Sequence, residues 1–341
     1  MNEKASVTEK GAVLLGKHLA CDAFDETRPL RVVTHAHADH TIGLPQSLKK
    51  SKKVLMTKGT RDLIEAMQGR HSLHRTNVEA LDYGETITYE DEHITLHKAD
   101  HILGAAQVMV EDNEGKRIVF TGDFRIDQTP ILPSDVLVIE ATYGSPHCRR
   151  RFHKDTHNSL ITLVERGLKQ GPVYIFGYNG KIQEVMQILN NANINVPFIV
   201  PENVYHISRV CEKHNMRLGK LVLQNELEAF ELLEKNSPYI GFYHMHSRDR
   251  IGLDSFRISV SGWEFYSAIR QTGEKEYLVA LSDHSDFDGL LEYVRQSKPK
   301  LVITDNFRVH YGETLAKEIR KHLGITAVAL PKNNIWKNRE R

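Results

Sequence analysis

Cysteine is scarce in this 341-residue chain. Its three copies, Cys21, Cys148 and Cys211, form no CxxC pair. That excludes a disulfide framework and predicts a reducing, cytoplasmic setting. The cysteines read as small core residues, so any metal must be held by histidine and carboxylate. Long apolar runs are also missing. No stretch approaches the roughly 18 residues of a membrane span, and the opening MNEKASVTE is too polar for an export signal, so no membrane partner is expected. Nor is there an excess of one charge. Forty-five Lys and Arg stand against 44 Asp and Glu, a net +1, so no global field draws in a polyanion and any nucleic-acid contact must rest on local patches. With 40% hydrophobic and 26% charged residues, a packed core forms and disorder is excluded. Histidine, by contrast, is plentiful, with 19 copies.

Short β-rich apolar runs alternate with helical patterns, the rhythm of an α/β protein. Strands are expected over 30–34, 94–97, 106–110, 117–121 and 135–140. After Gly144 the rhythm changes. The basic segment HCRRRFHK leads into a helix over 156–169. A strand over 173–176, a turn at Tyr178-Asn179-Gly180 and a helix from Lys181 then make one βα unit of a Rossmann-like layer. From 277 the early rhythm returns with strands over 277–281 and 301–304 and helices over 287–296 and 313–323. The expected organisation is therefore a first domain in two parts, 1–145 and 276–341, interrupted by an inserted domain, 146–275.

The densest chemistry is Thr34-His35-Ala36-His37-Ala38-Asp39-His40, directly after the strand over 30–34. Four ligand-type residues separated by small alanines can close a strand end around cations. His35 and His37 alternate as a strand edge does, while Asp39 and His40 face a second position. The same placement recurs: His101, Asp123, Glu140 and His284 each follow an expected strand. In layered α/β folds such strand ends gather along one edge, where sites form.

These segments resemble the metallo-β-lactamase fold, and specifically its β-CASP branch of nucleases. HAHADH is similar to the HxHxDH signature, ADHILGAAQ to the segment holding the next histidine, TGDFR to the GD motif and IEATYG to the acidic motif after it. LSDHSDFDGLL resembles the histidine motif that follows the insertion, and GYNGKIQEVMQIL a helix start within it. Asp100 stands where glycine is usual, and the insertion is short. The resemblance implies an αββα sandwich with an inserted β-CASP domain. It implies a zinc-dependent nuclease acting on DNA or RNA, at a single-stranded end, with a lean to an exonuclease of DNA repair.

By the same resemblance, His35, His37 and His101 would bind one Zn²⁺ and Asp39 and His40 a second, with Asp123 bridging; Mn²⁺ is a possible substitute. Asp22 would orient a ligand histidine, and Glu140 and His284 would serve the scissile phosphate and the leaving oxygen. Two cations about 3.5–4 Å apart suit an in-line phosphoryl displacement. The second metal position would be completed by His310, in Val309-His310-Tyr311-Gly312, by Asp305, directly after a strand, or by neither. For substrate contact, Lys181 at a helix start and Arg149, Arg150, Arg151 and Lys154 beyond Glu140 are the expected cations. Trp263, in Ser261-Gly262-Trp263, reads as a buried aromatic or else as one placed near the cleft, and His71, His74, His93, His97, His214, His244 and His246 as surface or satisfied core residues. Competing readings on the same scaffold are an RNA-processing endo- or exoribonuclease, a thioester or lactam hydrolase, and a non-catalytic nucleic-acid-binding subunit.

Overall fold

The computed structural model of the protein describes residues 4–68, 73, 75–152, 156–235 and 237–332. His71, His74 and Lys154 lie outside them. The contacts divide the chain into two units, residues up to Arg149 with those from His284 onward, and Arg150–Asp283.

The first unit holds two sheets. One is six-stranded, ordered Ala5–Val7, Val13–Leu15, Leu19–Cys21, Leu30–Val32, Lys53–Thr57, Val78–Leu81. The other is seven-stranded, ordered Thr326–Leu330, Leu301–Asp305, Val136–Ile139, Arg117–Phe120, Ala106–Asp112, Glu92–Lys98, Thr86–Tyr89. Side chains alternate across a strand, and the alternation decides which layer each residue joins. Ile118, Phe120 and Val138 face Leu15, Leu30 and Val32 of the six-stranded sheet and fill the space between sheets. Val119, Leu137 and Ile139 point the other way and pack under the helices Phe287–Ser297 and Gly312–Leu323, against Leu290, Tyr293 and Leu315. The helix Lys58–Gln68 covers the six-stranded sheet beside Lys53–Thr57 and Val78–Leu81. This is the αββα sandwich expected above.

The edge at which strands 19–21, 30–32, 92–98, 117–120, 136–139 and 301–305 end carries the loops of interest. Two features fix it. The Ala106 N–H donates to the Thr34 carbonyl at 3.0 Å, tying the first sheet's loop to the second sheet. Gly104, with φ +81°, turns the chain between His101 and the next strand, and its carbonyl accepts from Thr57 Oγ1 and Thr60 Oγ1 at 2.6 and 2.9 Å. A Cβ at Gly104 would stand 2.2 Å from the Thr60 backbone nitrogen. Gly104→Ala is therefore expected to cost about 1–3 kcal/mol or more, since both the left-handed backbone and the packing oppose it; denaturant unfolding checks this.

The second unit contains a seven-stranded sheet, ordered Leu221–Leu223, Phe198–Val200, Ile240–His244, Val173–Gly177, Phe256–Val260, Glu276–Val279, Ile269–Gln271, parallel except for its last pair. Its helices include Thr156–Leu168, Lys181–Asn191 and Glu202–Lys213. The strand Glu276–Val279, placed by the sequence reading in the return segment 276–341, pairs with Phe256–Val260 and Ile269–Gln271 instead. An apolar run of four residues carries no mark of which sheet accepts it, so the return to the first unit falls at His284. The three cysteines are buried. No helix among the described residues is long and apolar enough to cross a membrane.

Candidate metal centre

Three imidazoles converge at the sandwich edge. His35 Nε2 and His101 Nε2 each lie 3.1 Å from His37 Nδ1. The rings stand nearly perpendicular in pairs, with interplanar angles of 82°, 79° and 90°. A neutral imidazole has one N–H and one lone pair, and a cation shared among these converging nitrogens would suit them. Asp123 Oδ2 stands 3.6 Å from His35 Nε2 and 3.9 Å from His101 Nε2. The ligand atoms of His35, His37, His101 and Asp123 all lie within 4.8 Å of one another.

A second cluster meets the first at Asp123. Its Oδ2 lies 3.2 Å from His40 Nε2, which is also 3.4 Å from Asp39 Oδ2. His40 Nε2 is buried and has hydrogen-bond geometry to none of its neighbours. An orphaned imidazole nitrogen between two carboxylates is what a ligand atom looks like, and the donor set of nitrogen and carboxylate oxygen fits Zn²⁺ or Mn²⁺. One oxygen of Asp123 thus faces both clusters.

The residues behind these groups hold them in place. Asp22, fully buried with φ +62°, puts Oδ2 2.7 Å from His40 Nδ1 and accepts from the Thr34 N–H at 2.8 Å and the Thr34 hydroxyl at 2.7 Å. With Nδ1 so engaged, His40 presents Nε2 to Asp123. Arg31, buried at 1% exposure, donates to the carbonyls of His40, Val32 and Ile42 and holds the 38–42 turn; burial draws its pKa down to about 10, with Asp22 opposing.

Electrostatics prepare the site for cations. Burial, then the neighbouring His40 and His101, lower the pKa of His35 well below the ordinary imidazole value, which keeps the ring neutral as a ligand must be. Burial also opposes protonation of His40, but the carboxylates of Asp123, Asp39 and Asp22 outweigh it and raise its pKa. Burial opposes the charged form of Asp123 as well; His40 nevertheless holds that carboxyl well below the usual range.

Glu140 and His284 form a pair beside the first cluster. His284 Nδ1 lies 3.0 and 3.1 Å from the two oxygens of Glu140. Glu140 is itself fixed by the Phe124 N–H at 2.9 Å, and Ser285 donates to the Phe124 carbonyl at 2.7 Å from its backbone and 3.0 Å from its hydroxyl. The His284 ring centroid is 4.8 Å from that of His101.

Other expected residues fall elsewhere. Asp305 is buried and its carboxylate is taken by the Phe307 N–H at 2.9 Å and by Arg308 Nη1 at 2.6 Å. His310 is exposed and joins none of the ligand clusters found among the described residues. Between them sits Arg308, a residue the motifs do not mark, donating to the carbonyls of Asp39 and Gly11 at 3.3 and 2.8 Å. Lys181 is buried, with its ammonium 2.7 Å from Asp283 Oδ1. Arg150 is buried too and donates to the Gly262 carbonyl, so it builds a loop and does not present charge. Arg149 is half-exposed, ion-paired to Asp288 at 2.8 Å and laid over the Phe287 ring. Trp263, read as buried, is 57% exposed.

Residues 21–169 match the Beta-lactamase superfamily domain. The chain is 41% identical over 138 residues to an uncharacterized protein in the lig 3′ region of Acidianus ambivalens, covering 40% of this chain and 99% of that one. It is 32% identical over 282 residues to an RNase J-like protein of Methanocaldococcus jannaschii, covering 69% of this chain and 64% of that one. It is 24% identical over 317 residues to a probable DNA ligase of Opitutus terrae, covering 89% of this chain and 29% of the ligase. The chain therefore spans less than two thirds of the latter two proteins.

Proposed function

This chain belongs to the β-CASP branch of the metallo-β-lactamase superfamily, and we propose that it is a metal-dependent nuclease that trims single-stranded DNA ends. The observation that carries this reading is the convergence of a three-histidine cluster and the His40–Asp39 pair on one oxygen of Asp123. His35, His37 and His101 would hold one Zn²⁺, Asp39 and His40 the other, and Asp123 both. When bound, the two cations lower the pKa of a water between them and neutralise charge on the phosphoryl oxygens.

The chain's own groups supply the rest. Thr34 and Asp22 engage Nδ1 of His35 and of His40, so that Nε2 of each faces the ligand clusters. Glu140 accepts the His284 Nδ1–H and would stabilise the imidazolium, from whose Nε2–H the proton would pass to the departing sugar oxygen, leaving the neutral ring. A thioester or lactam hydrolase needs no such acid on this scaffold, and the Glu140–His284 pair favours a phosphodiester. Asp22→Asn keeps the volume of the carboxylate but sets an amide against His40 Nδ1. It is expected to weaken binding of the second metal about 10–100-fold, as read by competition with a chromophoric chelator.

The preference for DNA rests on the alignment of 89% of this chain with part of a probable DNA ligase and on the position of the Acidianus relative in a lig 3′ region. An RNA-processing role is the second reading, favoured by the identity to an RNase J-like protein. The deciding experiment incubates the chain, with zinc or manganese, with 5′- and 3′-labelled single-stranded DNA and RNA of one sequence. Faster stepwise shortening of the DNA supports the first reading; faster cleavage of RNA installs the second.

A further inference from the structure

In the second unit, parallel strands end side by side, and the ends carry rings. Gly177 is register partner of His244, and Val173–Gly177 lies between Ile240–His244 and Phe256–Val260. The residues that follow these three strands are Tyr178, the turn from Met245 to Arg250, and Ser261-Gly262-Trp263. Tyr178 is 51% exposed and Trp263 57%, while His246 is exposed.

The rings at the first two ends brace one another. The Tyr178 centroid lies 5.2 Å from that of His244 and 6.2 Å from that of His246, at 84° and 88°; the two imidazoles are 4.6 Å apart. Neither imidazole stacks on the tyrosine, and among the described residues the Tyr178 hydroxyl and the His246 ring nitrogens make no hydrogen bond. Beside them Arg250 is exposed and forms no ion pair among the described residues. Single exposed apolar residues need no explanation, but grouped rings on one edge do.

The loops carrying the rings are held from below by buried guanidiniums. Arg257 donates to the Arg248 carbonyl, and Gly252, with φ +63°, closes the same turn against the Tyr174 ring, where a Cβ would come within 2.7 Å. Arg150 donates to the Gly262 carbonyl and covers Phe265 at 4.7 Å. The loops at this edge are therefore held by the buried guanidiniums of Arg257 and Arg150, while Tyr178 and Trp263 remain about half exposed.

We propose that Tyr178, His246 and Trp263 form a platform on which unpaired bases of a single-stranded nucleic acid stack, with Arg250 facing the backbone. Every base has a π face, so stacking tolerates sequence, and the fixed loops reduce the ordering cost of binding. A parallel α/β sheet commonly binds ligands at the carboxyl ends of its strands. The platform rests on the nuclease reading for the identity of its ligand and adds to it where bases, as opposed to phosphates, are held.

The test uses the full chain in a Trp336→Phe background, where Trp263 is the sole tryptophan of the two. The probes are oligothymidylate and an abasic oligomer of equal length, both with phosphorothioate linkages to slow cleavage. Trp263 fluorescence should be quenched by the first and not the second. In the unaltered background, Tyr178→Ala, His246→Ala and Trp263→Ala should each weaken oligothymidylate binding about tenfold and leave abasic binding unchanged. Tyr178→Phe and Trp263→Phe, which keep a ring, should bind as the parent does. Unchanged affinity in all the alanine variants of a protein that still cleaves oligonucleotides overturns the platform and leaves the nuclease reading standing. Equal losses on the abasic oligomer also overturn it. A parent protein that neither binds nor cleaves either kind of strand overturns both.

Discussion

Replacing Asp123 with alanine is expected to reduce hydrolysis of a labelled oligonucleotide by on the order of 10³-fold or more. One carboxylate oxygen lies 3.2 to 3.9 Å from nitrogens of His35, His40 and His101. Truncation therefore removes at once a negative charge and the group proposed to join the two metal positions. Bound metal should fall from two ions per chain to one or fewer, and Asp123→Asn should behave in the same way because the amide is a poor metal ligand. His37→Ala should match it in activity, since His37 Nδ1 is the nitrogen that both His35 and His101 approach at 3.1 Å. Metal analysis and single-turnover rates on the same preparations check both. Full metal content with full activity in Asp123→Ala would remove the basis for a dinuclear centre.

His284→Ala should lose about 10²–10⁴-fold on oligonucleotides, the range of a lost general acid. The informative comparison is with an ester whose leaving group needs no proton, such as bis(p-nitrophenyl) phosphate. There the same variant should lose far less. A general acid matters in proportion to the basicity of the departing oxygen, whereas a histidine that only shaped the site would cost both substrates alike. Glu140→Gln should follow the same pattern with a smaller loss, because the amide still reaches the ring but does not hold its Nδ1–H as a carboxylate does. Equal losses on the two substrates would contradict the acid role.

Much of this arrangement was legible in the sequence because strand ends and turns are local. An apolar run followed by Asp, His or Glu marks both the strand and the edge at which it ends; the strands Leu30–Val32, Arg117–Phe120 and Val136–Ile139 lie where the pattern puts them. His35, His37, His40, His101 and Asp123 meet because each lies within a few residues of such an end. The polar residues that sit beneath the surface were not legible. Arg31 and Arg308 carry no motif and Arg150 reads as a substrate cation, yet each has its guanidinium turned to backbone carbonyls or a carboxylate. Whether an arginine is buried depends on partners far away in the chain, such as Gly262 for Arg150. Lys181 is the same case: a helix start suggests a phosphate, but the ammonium finds Asp283. Trp263 errs in the opposite direction, because composition favours burial of tryptophan and only the loop geometry turns it outward. His310 has the right residue type and nearly the right motif; after Leu301–Asp305 the chain instead turns Arg308 inward.

The central claim is that two metal ions joined by Asp123 hydrolyse a phosphodiester. Its most direct measurement strips the protein with a chelator and titrates zinc back while the release of nucleotides from labelled single-stranded DNA is followed. Activity that is absent in the stripped protein and rises to a plateau at two zinc ions per chain is the predicted result. Activity that survives complete metal removal, or zinc-loaded protein that leaves the strand intact while turning over a thioester, would contradict it.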